Sequence, residues 1–287
     1  MCNKTYICLK NLEEMDISII IVNYNSTEYL KKCVESIIKF TKDVLFEIII
    51  VDNASSDFDE NYFKEKYSVV KIICNSKNFG FAKANNQGIE IAKGKYLLFL
   101  NNDTLLFENT IKNIFDYAEK LNEEVFIGCQ LLNSDLTKQE SVVEFPDLWN
   151  GITENFFFYK IFKKSRLFNK YYQNEINLNE PTEVDVIKGA FMFCSAMSIK
   201  KLNGFDERFF FYSEETDLCY RFKKTGGKII FFPKEKIIHY GGVSTDKILW
   251  FKFKNQTIGK IQYYQKHFSL LLKYGSYYLH PVLTHRS

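Results

Sequence analysis

Mostly apolar runs of five to seven residues recur through the first half of the chain, and several of them end abruptly in polar side chains. The runs at 17–22, 45–51, 69–74 and 96–100 predict four strands. Because apolar residues occupy both faces of these strands, the pattern is typical of a parallel sheet that is covered on both sides.

Amphipathic segments separate the apolar runs and show the spacing of three to four residues that helices produce. Helices are predicted at about 26–38, 58–66, 81–92 and 108–121. Gly94 follows the third of them and is predicted to be its C-cap. Strands that alternate with helices predict an α/β fold with a doubly wound, mostly parallel sheet flanked by helices.

Three of the predicted strands end in polar residues. These ends are Asn23-Tyr24-Asn25, Asp52-Asn53 and Asn101-Asn102-Asp103. Right-handed crossovers place the ends of parallel strands on one rim, where ligands of α/β sheets bind. There Tyr24 could stack on a base, Asp52 could accept a hydrogen bond from a base or ribose, and Asp103 suits a hard cation such as Mg²⁺ or Mn²⁺. Alternatively, Asn102 and Asp103 merely cap the following helix.

The second half of the chain is less regular. The predicted features are a fifth strand at 125–132, an insertion with nine aromatic residues at 147–182, and strands at 184–187 and 228–232. Pro233 is predicted to end the last of these strands. Gly189 and Ala190 would let a ligand approach the backbone closely, although two small residues at a bend are more often ordinary packing.

Acidic residues open another predicted helix, which begins after Ser213. Glu214 and Glu215 lie in its first turn, where acids complement the helix dipole. The alternative is that one of them is a general base. Successive helical residues point about 100° apart, so only one of the two can face a cleft squarely. Farther along, His239 is either a structural histidine or a metal ligand.

Composition narrows the class of protein. The chain has 287 residues, a net charge of +3 and seven cysteines without a C-x-x-C pair, which predicts reduced thiols of a cytoplasmic protein. Residues 1–16 form a lead-in without the apolar core of a signal peptide, and no run of 18 apolar residues predicts a membrane span. The absence of G-x-G-x-x-G and of a P-loop sequence argues against a dinucleotide dehydrogenase and a P-loop enzyme.

The basic excess belongs to the tail at 247–287, which holds seven Lys or Arg residues and no Asp or Glu. Basic and aromatic residues alternate in this tail, which is predicted to be helical. They also alternate in a shorter stretch of the insertion, at 156–172. This pattern suits peripheral contact with an anionic membrane surface at the inner face of the cell membrane. Alternatively, the helix packs on the domain with a solvated basic face. No nucleic-acid-binding module accompanies the tail, so no nucleic acid partner is expected.

Several short motifs occur in one order along 17–244, about four-fifths of the chain. They are 19–25 with Asn23-Tyr24-Asn25, Val51-Asp52-Asn53-Ala54-Ser55, Asn78-Phe79-Gly80-Phe81-Ala82, Asn101-Asn102-Asp103, Gly189-Ala190-Phe191-Met192, the segment 214–221, and His239-Tyr240-Gly241-Gly242. Together they resemble a family 2 glycosyltransferase of GT-A fold, and particularly the rhamnosyltransferase-like bacterial branch of that family.

The resemblance implies a division of roles among these residues. The donor nucleotide would be bound by Asn23, Tyr24, Asn25, Asp52, Asn53, Asn78, Gly80, Phe81, Ala82, Asn101, Asn102, Gly189 and Ala190. Asp103 occupies the metal-binding position of the family's D-x-D motif, and His239 would join the metal, Mg²⁺ or Mn²⁺. Glu215 holds the position of the catalytic base, with Glu214 beside it. Asn101 replaces the first acid of the motif, and Glu215 replaces the usual Asp.

The resemblance also implies an activity and a domain scheme. The expected enzyme is an inverting, metal-dependent glycosyltransferase that uses a nucleotide-sugar donor, such as one like dTDP-rhamnose, and a glycan or polyprenyl-linked glycan acceptor of surface polysaccharide synthesis. Residues 17–132 would bind the nucleotide and 133–246 the acceptor. A non-catalytic protein that binds nucleotide sugars and a sugar-nucleotide nucleotidyltransferase are the alternatives.

Overall fold

The computed structural model of the protein describes residues 15–146, 180–241 and 249–268. The predicted lead-in up to residue 14, most of the predicted insertion and the end of the tail lie outside the described residues.

The order of the elements follows the predicted alternation. The strands are β1 Ile17–Asn23, β2 Phe46–Asp52, β3 Val70–Cys74, β4 Tyr96–Asn101, β5 Thr104–Leu105, β6 Val125–Leu132, β7 Val142–Val143, β8 Thr182–Glu183, β9 Val186–Ile187, β10 Phe191–Ser195 and β11 Lys228–His239. The helices are α1 Thr27–Phe40, α2 Glu60–Lys66, α3 Phe81–Ile91, α4 Thr110–Leu121, α5 Ala196–Lys201, α6 Glu214–Lys224 and α7 Leu249–His267.

One mixed sheet forms the centre of the described part of the chain, with the strand order β3-β2-β1-β4-β10-β6-β11-β5 and β8 paired to β11. The first half is parallel, as predicted, because β1 pairs with β2 and β4, and β2 pairs with β3. Strand β10 runs antiparallel to both of its neighbours, β4 and β6. Its amino end therefore lies at the same rim as the carboxyl ends of those two strands.

The sheet is covered on both faces because side chains alternate along each strand. In β1, Ile19 and Ile21 face a core that includes residues of α1, α2 and α4. Ile20 faces the opposite core, to which α3, α5 and α6 contribute. All three isoleucines are fully buried, and burial of such a side chain contributes about 1.5–3 kcal/mol. This packing explains why apolar runs predicted the strands.

Two local predictions are wrong. Helix α3 ends at Ile91, and Gly94 is not its C-cap but lies against the backbone of β1. A Cβ atom at this position would be 2.3 Å from Ser18 N, so the close approach requires glycine. Pro233 does not end the last strand either, since β11 continues to His239 through a register shift between Phe232 and Lys236. An irregularity of this kind tolerates a residue without an N–H group.

Helix starts also differ in detail from the prediction. The N-cap of α4 is Asn109, so the alternative that Asn102 and Asp103 cap this helix is wrong. Ser26 is at the N-cap of α1 as predicted, but its hydroxyl makes no capping hydrogen bond. Instead the Asp57 carboxylate accepts a hydrogen bond from the N–H of Thr27 at 3.1 Å.

Helix α7 packs on the domain. Its Tyr263 is fully buried and Ile261 is nearly so. The Lys266 ammonium lies 2.6 Å from Oδ1 of the buried Asp217, so this basic residue points inward. For 249–268 the structure therefore agrees with the alternative in which the helix packs against the domain. None of the described helices is long and apolar enough to cross a membrane. The five described cysteines are free thiols, and of these only Cys74 is exposed.

Replacement of Gly94 by Ala is expected to lower the free energy of unfolding by about 1–3 kcal/mol, since the added methyl group meets backbone atoms that cannot move aside. Urea unfolding measures the change. Gly189→Ala is the matched control, because its added Cβ would make only ordinary contacts, the nearest at 3.6 Å from Glu215. Equal stability of the two variants would contradict the role of the close approach.

Candidate active site

A cavity of about 590 Å³ opens at the rim where β4, β6 and β11 end and β10 begins. Most of the predicted site residues line it: Tyr24, Asn78, Gly80, Phe81, Asn101, Asn102, Asp103, Gly189, Ala190, Glu214, Glu215 and His239. Residues separated by more than two hundred positions in the sequence thus share one cavity.

The other predicted donor-binding residues, Asn23, Asn25, Asp52, Asn53 and Ala82, are not part of the cavity lining. Three of them belong to a buried network that supports the rim. The Asn102 amide donates to Asn23 Oδ1 at 2.7 Å, and the Asn23 amide donates to Asp52 Oδ1 at 2.8 Å. The Asn53 amide donates to the carbonyl of Gly80 at 3.2 Å. Nucleotide binding by these residues stays a prediction.

Asp103 and His239 lie together because the end of β11 pairs with β5, where His239 is opposite Thr104. The N–H of Tyr240 also donates to the carbonyl of Asp103 at 3.0 Å. His239 Nε2 is 3.4 Å from Asp103 Oδ1 and 3.3 Å from the Asn101 amide nitrogen. The three side chains present one carboxylate, one imidazole and one amide to the cavity.

Gln139 orients the His239 ring. His239 Nδ1 lies 2.6 Å from Gln139 Oε1, while the Gln139 amide nitrogen donates to Asn133 Oδ1 at 3.0 Å. Because an amide oxygen only accepts, His239 Nδ1 is the donor in this contact, which turns Nε2 toward Asp103 and Asn101. A second hydrogen bond of this kind is typical of histidines that bind metals.

The two acids of α6 line the same cavity. Burial, and secondly the charge of Glu215, raise the pKa of the Glu214 carboxyl well above its usual value. Burial also raises the pKa of Glu215, and backbone N–H groups and the Lys188 ammonium oppose this effect. Among the residues that the structure describes, neither Oε2 oxygen has a hydrogen-bond partner, and both are buried. A desolvated carboxylate with a raised pKa is a stronger base than an exposed one.

Sequence reasoning missed several residues of the cavity. They are Val22, Leu131, Gln139, Glu140, Lys188, Phe210, Phe211, Tyr212, Tyr240, Gly241 and Gln256. Among them, Lys188 Nζ makes a 3.0 Å ion pair with Glu140, beside Glu215. The run of aromatic residues just before the acidic pair was the one available signal, because aromatic rings commonly line ligand sites. Nothing in the pattern around Glu140 or Gln256 pointed to a cavity.

The sequence profile described as glycosyl transferase family 2 matches residues 18–195 of the chain. This range covers the strands β1 to β10 and ends before the acids of α6.

Several curated proteins with similar sequences are glycosyltransferases by name. The rhamnosyltransferase WbbL of Escherichia coli K12 is 27% identical over 232 residues, which are 78% of this chain and 83% of WbbL. The glycosyltransferase GlyG of Streptococcus pneumoniae is 33% identical over 39% of this chain and 38% of GlyG. The poly(ribitol-phosphate) beta-N-acetylglucosaminyltransferase TarP of Staphylococcus aureus is 31% identical over 39% of this chain and 36% of TarP. The chain thus spans well under half of GlyG and TarP.

Solved structures with the same fold include two glycosyltransferases. GalNAc-T7, crystallised with UDP, GalNAc and Mn²⁺, has a TM-score of 0.58 at 17% identity, over 88% of this chain and 48% of that one. The mannosyltransferase PcManGT from Pyrobaculum calidifontis was solved in complex with GDP-Man and Mn²⁺. It has a TM-score of 0.59 at 14% identity, and the match covers 87% of this chain and 63% of PcManGT. The predicted GT-A fold is therefore confirmed.

Replacement of Glu214 by Gln is expected to stabilise the protein at pH 7, because it removes a charge that burial penalises. Since the pKa of Glu214 is raised by folding, the wild type loses stability as pH rises through that folded pKa, whereas the variant does not. Below about pH 4.3, the usual glutamic acid pKa, the advantage disappears. Urea unfolding at pH 4 and pH 8 measures this difference.

The matched control is Glu65→Gln, which changes an exposed residue of α2 and should leave stability unchanged at both pH values. A Glu214→Gln variant that is no more stable than the wild type at pH 8 would show that this carboxyl is not penalised by burial.

Proposed function

Since the chain belongs to glycosyl transferase family 2, we propose that it is an inverting, metal-dependent glycosyltransferase. It moves a sugar from a nucleotide-diphosphate donor to a hydroxyl of a glycan or a lipid-linked glycan. The observation that carries the proposal is the placement of Asp103 and His239 in the same cavity as Glu215. The part of the cavity at Asp103 and His239 then holds the diphosphate, and Glu215 receives the proton of the acceptor hydroxyl.

The donor groups at Asp103 fit a divalent cation that is bound together with its substrate. Asp103 Oδ1 and His239 Nε2 would be its two protein ligands, and Asn101 lies beside them. Within the described residues, no cluster of three or more His, Cys, Asp or Glu side chains forms a complete metal site. Phosphate oxygens and water would supply the remaining ligands, as is usual for Mg²⁺ and Mn²⁺. Such a cation neutralises the charge that develops on the leaving diphosphate.

The Glu215 carboxylate acts as the general base. It takes the proton of the acceptor hydroxyl as the hydroxyl oxygen forms a bond to the anomeric carbon. The bond from that carbon to the diphosphate oxygen breaks in the same step, and its electron pair leaves with the nucleoside diphosphate. Attack from the face opposite the leaving group inverts the anomeric centre. Glu215 is preferred to Glu214 as the base because Glu214 is buried and Glu215 is only partly so.

The cavity also has groups that suit sugar rings. Tyr24, Phe210 and Tyr240 line it and are each more than a third exposed. Aromatic faces and a few polar groups are the usual lining of a small-molecule site. A donor like dTDP-rhamnose and a role in surface polysaccharide synthesis are supported by the similarity to WbbL over most of the chain. Contact of the basic tail with an anionic membrane would bring a lipid-linked acceptor to this cavity.

Donor hydrolysis tests the activity without knowledge of the acceptor, because water takes the acceptor's place. The purified chain is incubated with UDP-glucose, UDP-N-acetylglucosamine, GDP-mannose and dTDP-rhamnose, with Mn²⁺ or Mg²⁺. Release of nucleoside diphosphate and of a sugar with inverted anomeric configuration is expected for at least one donor. Binding of a donor without its turnover would favour the non-catalytic alternative, and retained configuration would exclude the inverting mechanism.

Replacement of Glu215 by Gln is expected to lower the rate of hydrolysis by about 10²–10⁴-fold, because the amide cannot accept the proton. The donor KM should change little, since the diphosphate lies at the Asp103 part of the cavity. The Glu65→Gln variant, on the exposed face of α2, is the control and should keep full activity. Near-normal turnover in Glu215→Gln would remove this residue from the role of base.

Replacement of Asp103 by Asn is expected to lower the rate about a hundredfold or more and to raise the Mn²⁺ concentration needed for half-maximal rate. EDTA should abolish hydrolysis by the wild type. Asp116→Asn is the matched control, because Asp116 pairs only with Lys112 on the surface of α4 in the described part of the chain. An Asp103→Asn variant with unchanged metal dependence would place the metal elsewhere.

A further inference from the structure

Helix α7 packs against the turn that precedes the two acids of the candidate active site. Gly259 packs against this turn so closely that a Cβ atom would lie 2.5 Å from the Tyr212 carbonyl oxygen and 3.0 Å from Ser213 Oγ. Only a hydrogen atom fits in that space. The next residues along the chain are Glu214 and Glu215, so the position of α7 fixes the point at which the acidic helix begins.

The turn has an unusual backbone. Tyr212 and Ser213 have φ angles of +72° and +69°, in the left-handed region that residues other than glycine rarely adopt. Each residue of this kind costs about 1–3 kcal/mol and persists only where the surrounding structure holds it. The carbonyl of Phe210, two residues before Tyr212, accepts a hydrogen bond from Phe81 N at 2.8 Å. The turn is thus held between α7 and the start of α3.

The far end of α7 is fixed to the same acidic helix by charge. Asp217, two residues after Glu215, is fully buried. Its carboxylate accepts hydrogen bonds from Arg221 Nε at 2.8 Å and His267 Nε2 at 2.7 Å, and Lys266 Nζ lies 2.6 Å from it. These contacts hold the pKa of Asp217 below its usual value in spite of burial, which acts to raise it.

We propose that Gly259 and Lys266 are positioning residues that set the place of the Glu215 carboxylate for proton transfer. The contacts of α7 lie just before and just after the acidic pair, so a shift of α7 moves the carboxylates directly. Asp103 lies in the turn just before β5 and His239 ends β11, and these contacts of α7 include neither residue. The proposal deepens the proposed function and rests on it.

Gly259→Ala gives the sharpest test. Alanine favours a helix over glycine by about 1 kcal/mol, so the substitution strengthens α7 while it closes the space for Tyr212. The kcat for hydrolysis of the nucleotide sugar that the wild type turns over is expected to fall on the order of 10- to 100-fold, because small displacements of a catalytic group are costly. The KM for this donor should stay within about twofold of the wild-type value.

Thr257→Ala is the matched control on the same helix, because the Thr257 hydroxyl bonds only to the carbonyl of Phe253 among the described contacts. It should keep the wild-type kcat. Lys266→Met is a second variant, which keeps the length of the side chain but removes the charge facing Asp217 and Asp206. It is expected to lower kcat with little change in the donor KM.

The outcomes separate the two proposals. Equal kcat values in Gly259→Ala and Thr257→Ala would overturn the positioning role, as would a loss confined to donor affinity. If Gly259→Ala does not fold, as judged by circular dichroism, the same criteria apply to Lys266→Met. A wild type that hydrolyses no donor would overturn the proposed function, and the positioning role with it.

Discussion

The pairing of β11 with β5 is the contact on which the rest of the site depends. It brings His239 opposite Thr104, so residues more than a hundred positions apart become neighbours. A pairing of only two residue pairs would not hold this contact by itself. It is stable because β11 also pairs with β6 along most of its length, and β6 is buried in the core. The register of β11, which the core determines, therefore places the residues that we propose to bind the metal.

Much of the fold could be predicted from the sequence, because burial of both sheet faces leaves a direct trace in apolar runs. The rim was predictable for the same reason, since the polar residues that end these runs must lie together. Features that depend on the register between distant strands could not be predicted. Gly94 meets β1 and Pro233 falls in an irregular stretch of β11 only because of how distant strands align. Likewise, Gln139 becomes the partner of His239 through a tertiary contact that no local pattern encodes.

The two acids of the cavity and the turn before them have features that lower the stability of the folded protein. Glu214 and Glu215 each keep an oxygen without a hydrogen-bond partner, and the turn before them has two left-handed residues in succession. Neither feature favours folding. Both are kept in place by ordinary packing nearby, such as the buried Tyr263 of α7 and the ion pairs of Asp217. The strain and its support thus lie on different elements of the chain.

The pairing of β7 with β9 has a consequence for how this architecture can diversify. Val142 and Val143 pair with Ile187 and Val186, and β8, just before β9, pairs with β11. Backbone hydrogen bonds therefore join the segment that precedes residues 147–179 to the segment that follows them. Because the entropy of closing a loop grows only with the logarithm of its length, a doubling adds about 0.6 kcal/mol. Evolution can lengthen or shorten the chain there, while β10 and the strands β1 to β4 keep their places.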